Sequence, residues 1–502
     1  MAHDSKKKIT VVSNRLPVVL SRGRDGWDVE PGSGGLVTAL APVLRDRGGT
    51  WIGWPGTSED GDIEGALASL AGDIGYSLVP VGLSAEEIER HYRGFSNEII
   101  WPLFHDLQSH CNFDPSYWDT YERVNRRFAE VILRAAGDDA FVWLHDYHLM
   151  LTARYLRELG FSGKIGFFLH IPFPSLDMFL RLPWRTQVLA ALTEFDLVGF
   201  QTMRDRRNFV RCIRAILGDA SYSGRGHVCG LTMEHRALRI GAFPISIDFD
   251  YFAERAKSDE VAECAWQIHA NLPDRQLILG VDRLDYSKGV PHRIDAFGRL
   301  LERHPEWQNR VSLVQIVVPS RRGIPEYEAL KTEIERVVGE VNGRFTQRTG
   351  WVPVHYIYRS LSQTELIAYY RTAEIALLTP LKDGMNLVAK EYCAANTDES
   401  GVLVLSEFAG AAAELGKSVL LVNPHDVVGI AETLHTALSM PEDERRSRMR
   451  SLRQIVRRHD VFRWVDSFLS AAFAKHLGSF PIIDELPTRA HPPLSGGDDK
   501  SR

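Results

Sequence analysis

The feature that most restricts this chain is an alternation. Short runs rich in Val, Ile, Leu and Phe recur along it, separated by longer segments with helical periodicity. The runs lie at residues 9–13, 141–145, 165–170, 197–201, 277–281, 312–318, 355–358, 375–379, 402–406 and 419–423. They are mostly apolar throughout rather than apolar at every second position. Strands with that pattern are covered on both faces, which is the situation in a parallel sheet layered by helices. The intervening segments carry helix signals, such as Ser362 with Glu365 in the S-x-x-E spacing of a capping box. The pattern predicts an α/β fold of doubly wound parallel sheets.

The runs fall into two blocks, with a break near 243–252. At 502 residues the chain exceeds the roughly 250–300 at which one hydrophobic core stops growing, so two domains facing a cleft are expected. The boundaries read as 1–246, 247–460, a terminal amphipathic helix at 461–480 that must pack somewhere, and a tail at 481–502. That tail, rich in Pro, Gly and charge, reads as disordered.

With 59 Lys and Arg against 65 Asp and Glu, no global attraction draws this chain to nucleic acid or an anionic membrane. A site for an anion must be built locally. The five cysteines (Cys111, Cys212, Cys229, Cys264, Cys393) form no C-x-x-C pair, which predicts free thiols in a reducing compartment. The N-terminal apolar run, Ile9 to Val12, is too short for a signal sequence, and no segment has the length of a membrane span, so a cytoplasmic protein is expected.

In open parallel sheets, ligands bind beyond the carboxyl ends of the strands. The polar residues at the predicted tips are Arg15, His145 with Asp146, His170, Arg283, Arg321 and Asp383. Five of these six tips carry a cationic or potentially cationic group, which favours a multiply anionic ligand. In VDRLDYSKG, Arg283 and Lys288 could reach one diphosphate; local pairing with Asp282 and Asp285 is an equal alternative. In TPLKDGMNLVAKEY a strand ends, Asp383–Gly384 turns, and Met385 onward reads as a helix whose N-terminus could seat a diphosphate. There Asp383 could accept from sugar hydroxyls and Glu391 could hold a ribose, or Asp383 could simply cap the helix and Glu391 sit in solvent. The glycine-rich GSGGL permits close approach to phosphate, yet no predicted strand runs directly into it, and taken alone it reads as a plain turn. HDYH at 145–148 lacks a third ligand at suitable spacing, so neither a metal nor any other cofactor is expected. Tyr92 and Trp101 could form a sugar platform, although a Trp in such an apolar run is ordinarily core.

The ordered motifs VVSNRLPV, GGL, WIGWPG, YRGFSNEIIWPLFH, HDYHLM, GFFLHIPFP, DRLDYSKG, VPSR, DGMNLVAKEY and VLSEFAGAA resemble those of the trehalose-6-phosphate synthases. These are retaining glycosyltransferases with two Rossmann-like domains, the GT-B arrangement. The resemblance implies glucose transfer from a nucleotide-glucose, UDP-glucose foremost, to glucose 6-phosphate. It implies that Gly34, Gly35, Arg283, Lys288, Leu361 and the stretch Leu387, Val388, Ala389, Lys390 and Glu391 hold the donor. His170 and Asp383 would contact the donor glucose, and with Arg283 and Lys288 they would form the catalytic set. Arg15, Trp54, Tyr92, Asp146 and Arg321 would bind the acceptor, and Trp101 with Ile171 would select its anomer. The terminal helix would cross back to the first domain. Two residues depart from the family pattern: Ser246 stands where glycine is usual, and Lys382 where arginine is usual. The substrates are small molecules, with neither nucleic acid nor membrane as partner, and homo-oligomerisation stays open. The alternatives are a sister enzyme using glycerol 3-phosphate and a silent regulatory homologue, which should have lost Arg283, Lys288, Asp383 or Glu391. A nicotinamide-dependent dehydrogenase would need a G-x-G-x-x-G that this chain lacks.

Overall fold

A computed structural model describes residues 8–474 apart from 23–25, 33–34, 60, 138–139, 219, 225, 234–235, 273, 321–323 and 348–349. Gly34, Arg321 and everything after Ala474 therefore lie outside the described residues.

The strands are β1 Ile9–Arg15, β2 Val18–Arg22, β3 Trp27–Pro31, β4 Thr50–Trp54, β5 Ser77–Pro80, β6 Phe141–His145, β7 Ile165–Phe168, β8 Leu197–Phe200, β9 Ser221–Ser223, β10 Val228–Met233, β11 Arg236–Ala242, β12 Gln276–Arg283, β13 Val311–Val318, β14 Val354–Tyr358, β15 Ile375–Leu378, β16 Val402–Ser406 and β17 Leu420–Val422. Each of the ten apolar runs is a strand, within two residues at either end. Two large sheets result. The first has the order β5-β4-β1-β6-β7-β8-β11-β10-β9, and the second β14-β13-β12-β15-β16-β17. The second is parallel throughout. The first is parallel from β5 to β11 and closes with antiparallel β10 and β9. Complete burial of β6 and β16 is the physical basis of their unbroken apolar sequences.

The sequence pattern did not predict β2, β3, β4, β5, β9 or β10. These are short, and β9 is exposed along its whole length. One expectation is overturned: β3, the second strand of the β2–β3 hairpin, does run into the glycine-rich segment, and the helix Gly35–Arg47 follows it. The hairpin is edge-like and half exposed, so neither apolar runs nor clean alternation marked it.

The helix Val461–Phe473 follows the second sheet in sequence yet packs on the first. Phe468 stacks on Trp143 with ring centroids 4.3 Å apart and planes 8° from parallel. The strand positions beneath it are glycines. A Cβ on Gly199 would stand 2.7 Å from the Phe468 ring, and one on Gly166 3.0 Å. Lys164 Nζ and Arg239 donate to the carbonyls of Ala472 and Ala471 at 3.0 and 2.6 Å, holding the helix C-terminus where free carbonyls need donors. The Val461 N–H donates to the Ile247 carbonyl at 3.0 Å. The two connections between the sheets thus run side by side. Ser246, in the first of them, is fully buried, and among the described residues its Oγ has no hydrogen-bond partner.

Candidate active site

Each sheet reverses its winding once: the first between β1 and β6, the second between β12 and β15. A crevice opens at such a switch point, beyond the carboxyl ends of the two diverging strands. At the first switch point sit Arg15 and His145 with Asp146. At the second sit Arg283 and, past β15, Asp383. A cavity of about 650 Å³ joins the two crevices, and Arg15, Tyr92, Trp101, Asp146, His170 and Arg283 all line it.

Arg15 ends β1 and stacks over the Trp54 indole at 5.3 Å. Across the cavity, the Arg283 guanidinium lies 5.9 Å from the Trp101 ring. Among the described residues neither arginine has a carboxylate partner. Their neighbouring acids are engaged elsewhere: Asp282 pairs with the completely buried Arg293, and Asp285 accepts from the Ser287 N–H and hydroxyl at 2.9 and 2.8 Å. The local pairing of Arg283 with its own loop, open at the level of sequence, is therefore not what forms. Arg293 also donates to Thr379, Gln315 and the Lys288 carbonyl, tying the β12 loop to the end of β15.

Lys288 does find a partner, in Asp383. Its Nζ lies 2.6 Å from Asp383 Oδ2, with side chains 11% and 15% exposed. Burial would raise the Asp383 carboxyl, but the Lys288 charge, a hydrogen bond from it and Asn386 together hold it below the usual carboxylate range. Asp383 does not cap the following helix. That helix is Leu387–Ala395, and its N-cap is Asn386, whose side chain accepts from the Ala389 N–H at 3.1 Å. The Leu387 and Val388 N–H groups precede the helix's own bonding ladder and form its positive end. Glu391 is not a solvated charge: Tyr370, fully buried, donates to it at 2.8 Å. The Lys390 ammonium turns away from the cavity, buried between Glu414 Oε2 at 2.6 Å and the Ile245 carbonyl at 2.8 Å. Leu361 packs, half-buried, against the same core as Leu387 and Val388. Gly35 opens the helix after β3. Trp54 and Ile171 are buried, at 5% and 4% exposure, beside the cavity-lining residues.

Tyr92 and Trp101 owe their positions to an unusual element. Residues Ile88–Ile100 form a π-helix, closed by the Trp101 N–H donating to the Ser96 carbonyl. Such wide turns are rare and concentrate at functional sites. Tyr92 stacks on His148 at 5.8 Å and 15°, so His148 supports the wall. Asp146 has φ +75° and ψ 167°, a region essentially reserved for glycine and costing about 1–3 kcal/mol. Its N–H bonds to the Phe168 carbonyl at 2.8 Å and its Oδ1 accepts from the His170 N–H at 3.2 Å. Asn386 has φ +87°. Backbone strain thus occurs on both walls. His170 is linked through Nε2 to His145 Nδ1 at 3.1 Å, and burial pushes its imidazole down to about 3.

Some residues of the site escaped sequence reasoning. Asn14, buried on the cavity wall, has an Oδ1 without a partner among the described residues. His105, beside Trp101, is pushed down to about 4, chiefly by burial. Asn386 carried a legible signal, a capping residue three positions before the helix's Ala389. Arg293 and Tyr370 carried none, because their roles depend on which strands become neighbours.

One group of potential metal ligands, His304, Glu306 and His435, lies at the opposite end of the second sheet. Its imidazoles stack face to face at 3.8 Å and 7°, so a single ion cannot lie in both ring planes. Trp307 already donates to His435 Nδ1 at 3.0 Å. This donor set does not suit a metal.

The sequence model of glycosyltransferase family 20 matches residues 7–473. A trehalose-6-phosphate synthase of Mycolicibacterium vanbaalenii is 44% identical over 471 residues, which cover 93% of this chain and 96% of that one. The crystal structure of an α,α-trehalose-phosphate synthase (UDP-forming) from Burkholderia xenovorans, in complex with glucose 6-phosphate, superposes with a TM-score of 0.83. It is 37% identical and covers 93% of this chain and 99% of its own. The trehalose-6-phosphate enzyme of E. coli bound with UDP-2-fluoro glucose gives a TM-score of 0.83 at 36% identity, over 93% and 99% of the two chains.

Proposed function

Because the chain belongs to glycosyltransferase family 20, we propose that it transfers glucose, with retention, from UDP-glucose to glucose 6-phosphate. The products are α,α-trehalose 6-phosphate and UDP. One observation carries this reading. Two arginines without carboxylate partners among the described residues, Arg15 and Arg283, face one cavity from separate sheets. That arrangement suits two anionic substrates meeting between the sheets. The relatives' complexes with glucose 6-phosphate and with a UDP-glucose analogue support the same pairing of ligands.

In this reading the first sheet's crevice takes the acceptor and the second takes the donor, a division into residues 1–246 and 247–460. Arg15, with Tyr92 and Arg321, binds the acceptor's phosphate, while Asp146 and Trp54 meet its sugar. Trp101 and Ile171 shape the pocket around its anomeric centre. The Leu387 and Val388 N–H groups, Arg283 and Lys288 hold the diphosphate, and Glu391 the ribose. Lys288 retains two N–H donors beyond the one given to Asp383, so it can serve both. Asp383 and His170 hold the donor glucose. The acceptor's anomeric oxygen bonds to the donor C1 on the face from which UDP departs. The C1–phosphate oxygen bond breaks, and the proton passes to the departing phosphate. Arg283 and Lys288 stabilise the charge growing there, a contribution of several kcal/mol when donors are fixed in advance. The mechanism requires neither a protein nucleophile nor a metal.

No helix among the described residues is long and apolar enough to cross a membrane, and the free cysteines support our placing of the enzyme in the cytoplasm.

The test is an initial-rate assay of the purified protein over UDP-, ADP- and GDP-glucose, each with glucose 6-phosphate or glycerol 3-phosphate. The product is identified by NMR. Trehalose 6-phosphate formed fastest from UDP-glucose is the expected result. Equal or faster nucleotide release with glycerol 3-phosphate would overturn the acceptor assignment, and no turnover with any donor would make the chain a silent homologue.

A further inference from the structure

His145 reaches no substrate in the reading above, yet it is bonded to an imidazole that does. Its Nδ1 lies 3.1 Å from His170 Nε2. The side chain is completely buried, packed between Trp143 at 4.8 Å and Trp464 at 6.4 Å between ring centroids. Burial drives both imidazoles well below their ordinary range, so near neutrality the pair is uncharged. Two neutral imidazoles sharing one hydrogen bond have two arrangements. Either His145 donates from Nδ1 and its Nε2 is a lone pair, or His170 donates from Nε2 and His145 carries its proton on its own Nε2.

The surroundings decide between them. Among the described residues, His145 Nε2 is buried without a partner, and so are the indole nitrogens of the two tryptophans touching the ring, Trp143 and Trp464. Indole nitrogens are donors only. The neighbourhood already holds two buried N–H groups lacking acceptors, and a proton on His145 Nε2 would add a third. An orphaned buried N–H is costlier and rarer than an under-used lone pair.

We propose that His145 is a positioning residue that donates from Nδ1 to His170 Nε2 and thereby fixes His170 as the Nδ1–H tautomer. The nitrogen that His170 keeps for a ligand is then a hydrogen-bond donor, suited to a hydroxyl or phosphate oxygen. Asp383, ionised, supplies the opposite polarity as an acceptor on the facing wall. The imidazole's backbone is fixed as well: its N–H donates to Asp146 Oδ1, and a Cβ on Gly384 would collide with its carbonyl oxygen. A ring held on both sides gains from having one proton arrangement.

The catalytic consequence rests on the donor-site reading, but the tautomer does not, so the experiment has two arms. In protein carrying ¹⁵N-histidine, the His170 resonances (assigned by their loss in His170→Gln) should show a protonated Nδ1 and a bare Nε2 at pH 7. A protonated Nε2 in the unaltered enzyme overturns the proposal whether or not glucose is transferred. In the second arm, His145→Phe keeps the ring's bulk and removes the bond, whereas His145→Asn can still donate an N–H to His170. At metal-bound histidines, partners that fix the tautomer are typically worth about 10–100-fold, and an effect of that order is expected here. His145→Phe should lower kcat by that factor and mix the His170 tautomers, while His145→Asn stays within about threefold of the unaltered enzyme. Equal losses in the two variants, or an unchanged tautomer in His145→Phe, would reduce His145 to a packing residue.

Discussion

Asp383 and Lys288 show how two residues of plausible separate function become one unit. Asp383 is held below the usual carboxylate range. A carboxyl whose folded pKa is depressed adds stability above its unfolded value, about 3.9, and loses it as pH falls through the folded one. Asp383→Asn should therefore be less stable than the unaltered chain at pH 7, because it leaves Lys288 without its partner charge. The gap in Tm should stay constant from pH 7 to 5 and narrow below about pH 4. Calorimetry across that range tests it, and a gap that widens on acidification would contradict the assignment. His170, pushed down to about 3 by burial, should contribute no titration to the activity profile between pH 5 and 8. Arg15→Ala removes a cation that no acid among the described residues pairs with. Loss of a charge-assisted bond to a phosphate weakens binding by roughly 1.5–3 kcal/mol, so acceptor KM should rise about 10- to 100-fold while donor KM changes little. The reverse split in steady-state kinetics would mean that the two crevices are exchanged.

Among the elements, the terminal helix makes the sharpest claim. Phe468 fills the space above Gly166 and Gly199 and stacks on Trp143. Truncating a buried Phe costs about 3–5 kcal/mol. Phe468→Ala should lose stability of that order in urea unfolding, and hydrogen exchange should show residues 461–473 loosened before the second sheet. Exchange unchanged in that helix would mean that it is held by its ends alone. The helix also marks how far sequence reached. Its amphipathic pattern said that it must be covered, but the pair of strand glycines that receive it was invisible until β7 and β8 lay side by side. The two parallel sheets were legible because an unbroken apolar run of strand length has to be covered on both faces. The hairpin Val18–Arg22 with Trp27–Pro31 was not, because an exposed edge has no such pattern. At the site, strand-tip charges were readable as soon as the strands were. What could not be read was partnership: that Asp282 would be taken by Arg293, freeing Arg283, or that the Lys390 ammonium would turn to Glu414 and the Ile245 carbonyl.

At the scale of the whole molecule, the cavity is lined by residues of both sheets' loops. Besides the paired connections near Ile247 and Val461, the segment after Trp101 touches the second sheet's loops at two places. Lys382 pairs with Asp106. The His110 ring stacks on Tyr286 at 4.7 Å and 12°. These contacts join loops of the two sheets, and a cleft held shut by them would keep water from the cavity between. A partly exposed ion pair is worth about 0.2–1 kcal/mol, so the Lys382–Asp106 pair favours closure by at most about fivefold, enough to affect turnover without being essential. Asp106 has φ +61°, a conformation that Asn tolerates about as well as Asp. Asp106→Asn therefore removes the charge without disturbing the loop. In this variant the ratio of glucosyl transfer to UDP-glucose hydrolysis should fall by up to about fivefold, with both substrates' KM rising together, since closure serves both crevices. Raising the salt should reduce the ratio in the unaltered enzyme and leave the variant nearly unaffected, because screening acts on the pair that the variant lacks. A transfer-to-hydrolysis ratio equal in the two proteins at low salt would show that the stacked His110 and Tyr286 close the cleft without the ion pair.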